Sequence, residues 1–141
     1  MRSKFARISE TEREIIFWQR VNRNGPIVKP ELGRCWIYEQ DSTYPYGRVG
    51  WFGIWVYAHQ LTYTFLRGRV PKPLELDHLC ENKICCNPWH LEAVTHMENM
   101  RRFGLRKTHC PHGHAYEGDN VVLYLGRQRR CRACAKLRGR K

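Results

Sequence analysis

Asp77 and His78 stand side by side near the middle of the 141-residue chain, and Asn99 follows them. Metal-assisted cleavage of a phosphodiester needs a general base of near-neutral pKa. It also needs oxygen ligands that leave positions open on a hard cation. His78 is the candidate base, Asp77 a hard oxygen ligand and Asn99 a second oxygen donor. Neighbours in a strand point to opposite faces, so the Asp-His pair works together only if the strand bends or ends there.

Seven cysteines supply a second kind of chemistry. The number is odd and no secretion signal opens the chain, so metal thiolates are favoured over disulfides. Cys80, Cys85 and His90 have the spacing of three ligands of a tetrahedral zinc, with Cys35 or Cys86 as candidates for the fourth. Cys110 opens Cys-Pro-His-Gly-His, and Cys131 and Cys134 follow after an apolar stretch. This second ligand set takes its imidazole from His114, because Gly113 lets the chain turn back, with His112 as the alternative. If His90 serves zinc, it is not available to a catalytic metal.

These side chains need elements to hold them. Ser9 followed by Glu10, Glu12 and Glu14 predicts an N-capped helix that runs through Phe17, Trp18 and Val21 and ends near Asn24, Gly25 and Pro26. Residues 35–57, rich in aromatics and punctuated by glycine, predict short strands with a tight hairpin at Phe52 and Gly53. A short helix from Ala58 to Leu66 stops at Arg67 and Gly68. Residues 74–80 alternate as a half-buried strand. A loop and a second strand follow, and Thr95 with Glu98 forms a capping box for a helix starting at His96 and reaching about Arg102. Residues 121–126 read as part of a hairpin between the second set of ligands.

Charge sharpens the reading. Net charge is +12, and the hydrophobic fraction of 42% is too high for a disordered basic tail. Residues 1–30 hold 7 basic and 3 acidic side chains, residues 31–100 hold 6 and 8, and residues 101–141 hold 12 and 2. Basic ends around a near-neutral middle imply a polyanionic partner gripped through its phosphates. Arg48, Arg101, Arg102, Arg127, Arg129 and Arg130 are candidate contacts, with Lys136, Arg138, Arg140 and Lys141 adding to the basic end. No apolar run is long enough to span a membrane, so a soluble intracellular protein is expected.

The run Asp77, His78, Asn87, Pro88, Trp89, His90, Leu91, Glu98, Asn99 resembles the HNH or ββα-metal nucleases, also called His-Me finger nucleases. Two groups are most similar: the free-standing HNH endonucleases frequent in phage genomes, and the His-Cys box homing endonucleases. The core of the resemblance spans residues 74–102. Phe17 and Trp18, residues 33–36 and residues 46–48 also resemble the N-terminal region of phage members. The resemblance implies an α+β, zinc-stapled ββα-metal fold with an N-terminal helix, a β-ribbon and a C-terminal zinc module, divided as 1–107 and 108–141. It implies His78 as the base that activates water, and Asp77 and Asn99 as ligands of one Mg²⁺ or Mn²⁺. A central polar residue braces the loop, a position to which both Asn87 and His90 fall near. The His-Cys box nucleases bring an upstream Cys to the corresponding zinc ligands, which here is Cys35, leaving Cys86 unassigned.

The expected substrate is therefore double-stranded DNA, cleaved to 5′-phosphate and 3′-hydroxyl ends in a homing or phage DNA-processing role, with two structural zinc ions. Membranes are not expected as partners, and a homodimer is left open. The rival reading is a non-catalytic zinc-stapled DNA-binding regulator with a structural His78. RNA as substrate is weaker, because no RNA-recognition signature is present. Base readout, where it occurs, could come from the 36–57 ribbon, with Trp36, Trp51, Trp55 and Tyr57 either reading DNA or covering the core.

Overall fold

The computed structural model describes residues 8–40, 44–124 and 128–139. Two compact units divide at Ala93 and Val94. The helix bearing Asn99 thus packs with the C-terminal residues, upstream of the 107/108 division expected from sequence.

In the first unit, α1 (Glu10–Gln19) starts at Ser9, whose hydroxyl accepts from the Glu12 amide while the Glu12 carboxylate accepts from the Ser9 amide. This reciprocal box satisfies two donors that a helix start leaves open. The helix ends at Gln19, short of the predicted stop. Val21–Asn22 instead forms β1, pairing antiparallel with β2 (Ile37–Tyr38) in the register Val21↔Tyr38. The β-branched Val21 is better placed on a half-buried strand than in a last helical turn. β2 is thereby separate from the ribbon that sequence reasoning ran through residues 36–57.

The ribbon proper is β3 (Arg48–Trp51) against β4 (Ile54–Tyr57), closed at Phe52 and Gly53 as predicted. It leads directly into α2 (Ala58–Arg67), where the Ala58 amide donates to the Gly47 carbonyl at 2.8 Å. Phe17, Val21, Tyr38, Val49, Ala58, Leu61 and Cys86 form the core, with Trp36 and Trp51 packed on it. Phe17 stacks on Tyr38 at 5.3 Å and meets Phe65 edge-on at 5.8 Å. α2 thus has an apolar face fixed against the N-terminal helix, and the opposite end of its first turn carries His59.

β5 (Glu75–His78) pairs with β6 (Leu91–Val94). A one-turn 3₁₀ segment, Pro88–His90, precedes β6 and begins at Asn87, whose side chain accepts from the Trp89 amide. Arg67, the last residue of α2, donates to the carbonyls of Pro88 and Leu91 at 3.1 and 3.2 Å. Thr62, fully buried, donates to the Cys86 carbonyl at 2.6 Å. Two side chains of one helix therefore fasten the part of the loop that leads into β6.

In the second unit, α3 (His96–Arg106) is capped by Thr95 and runs a turn beyond the predicted end. The Glu98 carboxylate is engaged by Arg101 and Arg102 at 2.7–2.9 Å. β7 (Val121–Tyr124) pairs antiparallel with β8 (Gln128–Cys131), and α4 (Arg132–Arg138) follows, a helix not anticipated in the basic end. Arg129 donates to the carbonyls of Gly104 and Lys107, tying β8 to the end of α3. The predicted hairpin residues Leu125 and Gly126, and the candidate contacts Arg127, Arg140 and Lys141, lie outside the described residues.

Candidate active site and thiolate clusters

β5 ends at His78, which resolves the geometric condition on the Asp-His pair: both side chains are buried, Asp77 at 3% exposure and His78 at 8%. The chain turns at Leu79, whose amide donates to the His90 carbonyl at 2.8 Å and whose own carbonyl accepts from Lys29 at 2.7 Å. Lys29 also pairs with Glu81 at 2.7 Å.

The His78 ring is held in one orientation. Nε2 lies 3.0 Å from the Cys85 carbonyl oxygen. A carbonyl only accepts, so Nε2 carries the proton and the lone pair of the neutral imidazole is on Nδ1. Nδ1 is then the basic atom. The ring also meets His59 edge-on at 4.9 Å and Tyr46 at 6.2 Å, and His59 stacks on Tyr57 at 5.5 Å. Burial, aided by the charge His78 can carry, holds His59 down to about 3, so His59 is neutral at ordinary pH. Sequence reasoning missed His59, and it named Tyr46 and Tyr57 without placing them beside the candidate base. A single histidine on an amphipathic helix has no spacing signal, and its importance comes from a contact made in the fold.

Cys35, Cys80, Cys85 and His90 present ligand atoms that all lie within 4.8 Å of one another, and all four residues are buried. His90 Nε2 donates to the Leu32 carbonyl at 2.7 Å, which turns Nδ1 toward Cys85 Sγ at 3.5 Å and Cys35 Sγ at 3.7 Å. Such a hydrogen bond on the far nitrogen is what orients an imidazole toward a metal. Sulfur donation from Cys85 holds the Cys80 thiol down to about 5 against the effect of burial, while Cys85 is pushed up in return. Three buried sulfurs and one imidazole nitrogen within reach of one another are a donor set that suits zinc. Cys86 is not in this set. It lies in the apolar core, where burial pushes its thiol up to about 12.

Asn87 braces the loop: Nδ2 donates to the Arg34 carbonyl at 3.0 Å, Oδ1 accepts from Trp89, and its amide donates to Cys85 Sγ at 3.4 Å. His90 faces sulfur. The two candidates for the central position thus do different work.

Cys110, His114, Cys131 and Cys134 form the second cluster, again with ligand atoms within 4.8 Å. His114 Nδ1 is 3.4 Å from Cys110 Sγ and 3.3 Å from Cys134 Sγ. Gly113 has φ +81°, the left-handed turn that brings His114 back, and the exposed His112 stays outside the set. Cys131 caps α4 by accepting from the Cys134 amide, and Asn120 accepts from the Ala133 amide at 2.9 Å.

One comparison with known proteins bears on this geometry. Residues 56–101 match the HNH endonuclease family. The matched stretch begins in β4 and reaches α3, so it includes His59, Asp77, His78, the loop with its cysteines, and Asn99. The match covers about a third of the chain, and its similarity is to a family of endonucleases. No curated protein and no solved structure matches the chain. Among the described residues, no helix is long and apolar enough to cross a membrane.

Proposed function

We propose that the HNH domain cleaves double-stranded DNA with His78 as general base, leaving 5′-phosphate and 3′-hydroxyl ends. The observation that carries this reading is the His78–Cys85 hydrogen bond, which presents an unprotonated Nδ1 from a fixed ring. Nδ1 takes a proton from the attacking water, and Nε2 keeps its own proton, donated to the Cys85 carbonyl, so the imidazolium formed remains hydrogen-bonded. Asp77 and Asn99 offer hard oxygens and fit a magnesium-type ion better than a soft one. Such an ion, when bound, supplies charge stabilisation for the leaving 3′ oxygen. The two sulfur-rich sets suit structural zinc instead, so the two kinds of metal are sorted by ligand chemistry.

Residues 1–107 act in this reading as the nuclease unit, and 108–141 as a basic zinc module that grips phosphates. Arg130 and the exposed cations of α4 are its candidate contacts, whereas Arg129 is occupied in tying β8 to α3. The role proposed for it is homing or phage DNA processing inside a cell, as the resemblance to phage HNH and His-Cys box endonucleases implies.

The test is the chemistry of the ends. Products made with Mg²⁺ or Mn²⁺ should be religated by a DNA ligase without kinase treatment. Ends that need phosphatase or kinase repair before ligation contradict the proposed attack. End-mapping on both strands also shows whether the enzyme nicks or cuts through.

A further inference from the structure

The turn of the β3–β4 hairpin carries a side chain that its backbone disfavours. Trp51 pairs with Ile54, so Phe52 and Gly53 are a two-residue turn, with φ of 47° and 83°. Two successive positive φ values make a type I′ turn, whose twist suits a hairpin and whose first position favours Asn, Asp or Gly. Gly53 meets that demand. Phe52 does not, because its Cβ crowds the following carbonyl in the left-handed region.

Burial does not offset this strain. Phe52 is 54% exposed, and Ile54 and Trp55 beside it are 63% and 69% exposed. An outlier of this kind at an exposed tip points to a role outside the fold. Cations frame the tip. The Arg13 guanidinium lies 4.7 Å from the Phe52 ring, and that of Arg48 lies 5.0 Å from Trp55. Both line a groove of about 500 Å³ with Arg20, Trp51 and Trp55. An apolar point between guanidinium groups complements a duplex, in which stacked bases lie between phosphates.

The hairpin is also coupled to the candidate base. Arg48 pairs with Tyr57 and Gly50 with Trp55, so these four share one face of the ribbon. Tyr57 stacks on His59, which meets His78 at 4.9 Å. The tip therefore stands within about one turn of B-DNA, roughly 34 Å, of His78.

We propose that Phe52 is a DNA wedge: the hairpin tip inserts its ring at a base step of the duplex presented to His78, with Arg13 and Arg48 on the flanking phosphates. Apolar wedges of this kind unstack a step and unwind the helix locally. The inference rests on the nuclease reading for its duplex, but its test does not require cleavage.

The experiment uses full-length His78→Ala protein on closed-circular plasmid, relaxed by a metal-independent topoisomerase, without chelator so that zinc is retained. His78→Ala should shift the topoisomer distribution. Adding Phe52→Asn, a residue the turn favours, should abolish the shift while leaving the melting temperature unchanged or raised. Equal shifts from the two proteins overturn the wedge. So does the lack of any shift where gel mobility shows the plasmid bound, an outcome that would assign the tip to a protein or membrane partner. A topological shift beside a wild-type protein that never cleaves DNA overturns the nuclease reading and leaves the wedge standing.

Discussion

His78 and Cys85 join the candidate catalytic base to the first thiolate cluster: the Cys85 carbonyl accepts the His78 Nε2 proton at 3.0 Å while the Cys85 sulfur faces His90 Nδ1 at 3.5 Å. The backbone that orients the base is therefore held by the same residue that offers a ligand. Cys80→Ser, which replaces one sulfur of the cluster, should remove one zinc per chain and slow cleavage by about 10–100-fold, the usual effect of loosening a supporting shell. Elemental analysis beside cleavage rates checks this. Zinc loss with an undiminished rate would separate the cluster from the base.

Cys86 should behave oppositely to its neighbour. Its sulfur lies among Phe17, Tyr38 and Leu61 with the thiol pushed up to about 12, a neutral small hydrophobe rather than a ligand. Cys86→Ala should keep both zinc ions and cost about 1 kcal/mol in urea unfolding, the order of a lost buried methylene-sized group. Loss of a zinc in this variant would reassign the fourth ligand.

His59 carries a pH dependence with a definite sign. Its folded pKa, about 3, lies below the ordinary 6.5, so the unfolded chain binds a proton that the folded chain refuses. Stability is complete above about pH 6.5 and falls as pH drops from there toward 3. Between pH 7 and pH 5 this contribution is about 2 kcal/mol, and His59→Phe should lack it. Urea unfolding of both proteins at the two pH values measures the difference. Parallel losses would show that His59 is not held neutral by the fold.

Thr62→Val should cost about 1–3 kcal/mol, because the buried Cys86 carbonyl loses the hydroxyl that donates to it at 2.6 Å. Thermal unfolding of wild type and variant checks this, and an unchanged midpoint would mean that the carbonyl finds another donor.

Much of this site was legible in the sequence for one physical reason: local spacing. Cys80, Cys85 and His90, and likewise Cys110, His114, Cys131 and Cys134, are close along the chain or joined by a hairpin, so ligand types and intervals carry the signal. Ser9 and Thr95 announce their helices in the same local way. What escaped depended on distant partners. Val21 reads equally well as helix until Tyr38 pairs with it. His59 is an ordinary helical histidine until α2 lays it against His78. Cys35 was reachable only as the cysteine outside both clusters, and the family resemblance favoured it over Cys86, since nothing local connects it to the loop it joins.

The most direct measurement is supercoiled plasmid incubated with Mg²⁺ or Mn²⁺, comparing wild type with His78→Ala at equal DNA occupancy by gel shift. Wild type should produce nicked or linear DNA only when the divalent ion is added. His78→Ala should lose at least about 10²-fold in rate, the lower end of what a general base contributes, while binding DNA as before. Cleavage by His78→Ala at the wild-type rate, or an intact plasmid beside salt-sensitive binding by wild type, would contradict the assignment of His78 as the base of a DNA-cleaving enzyme.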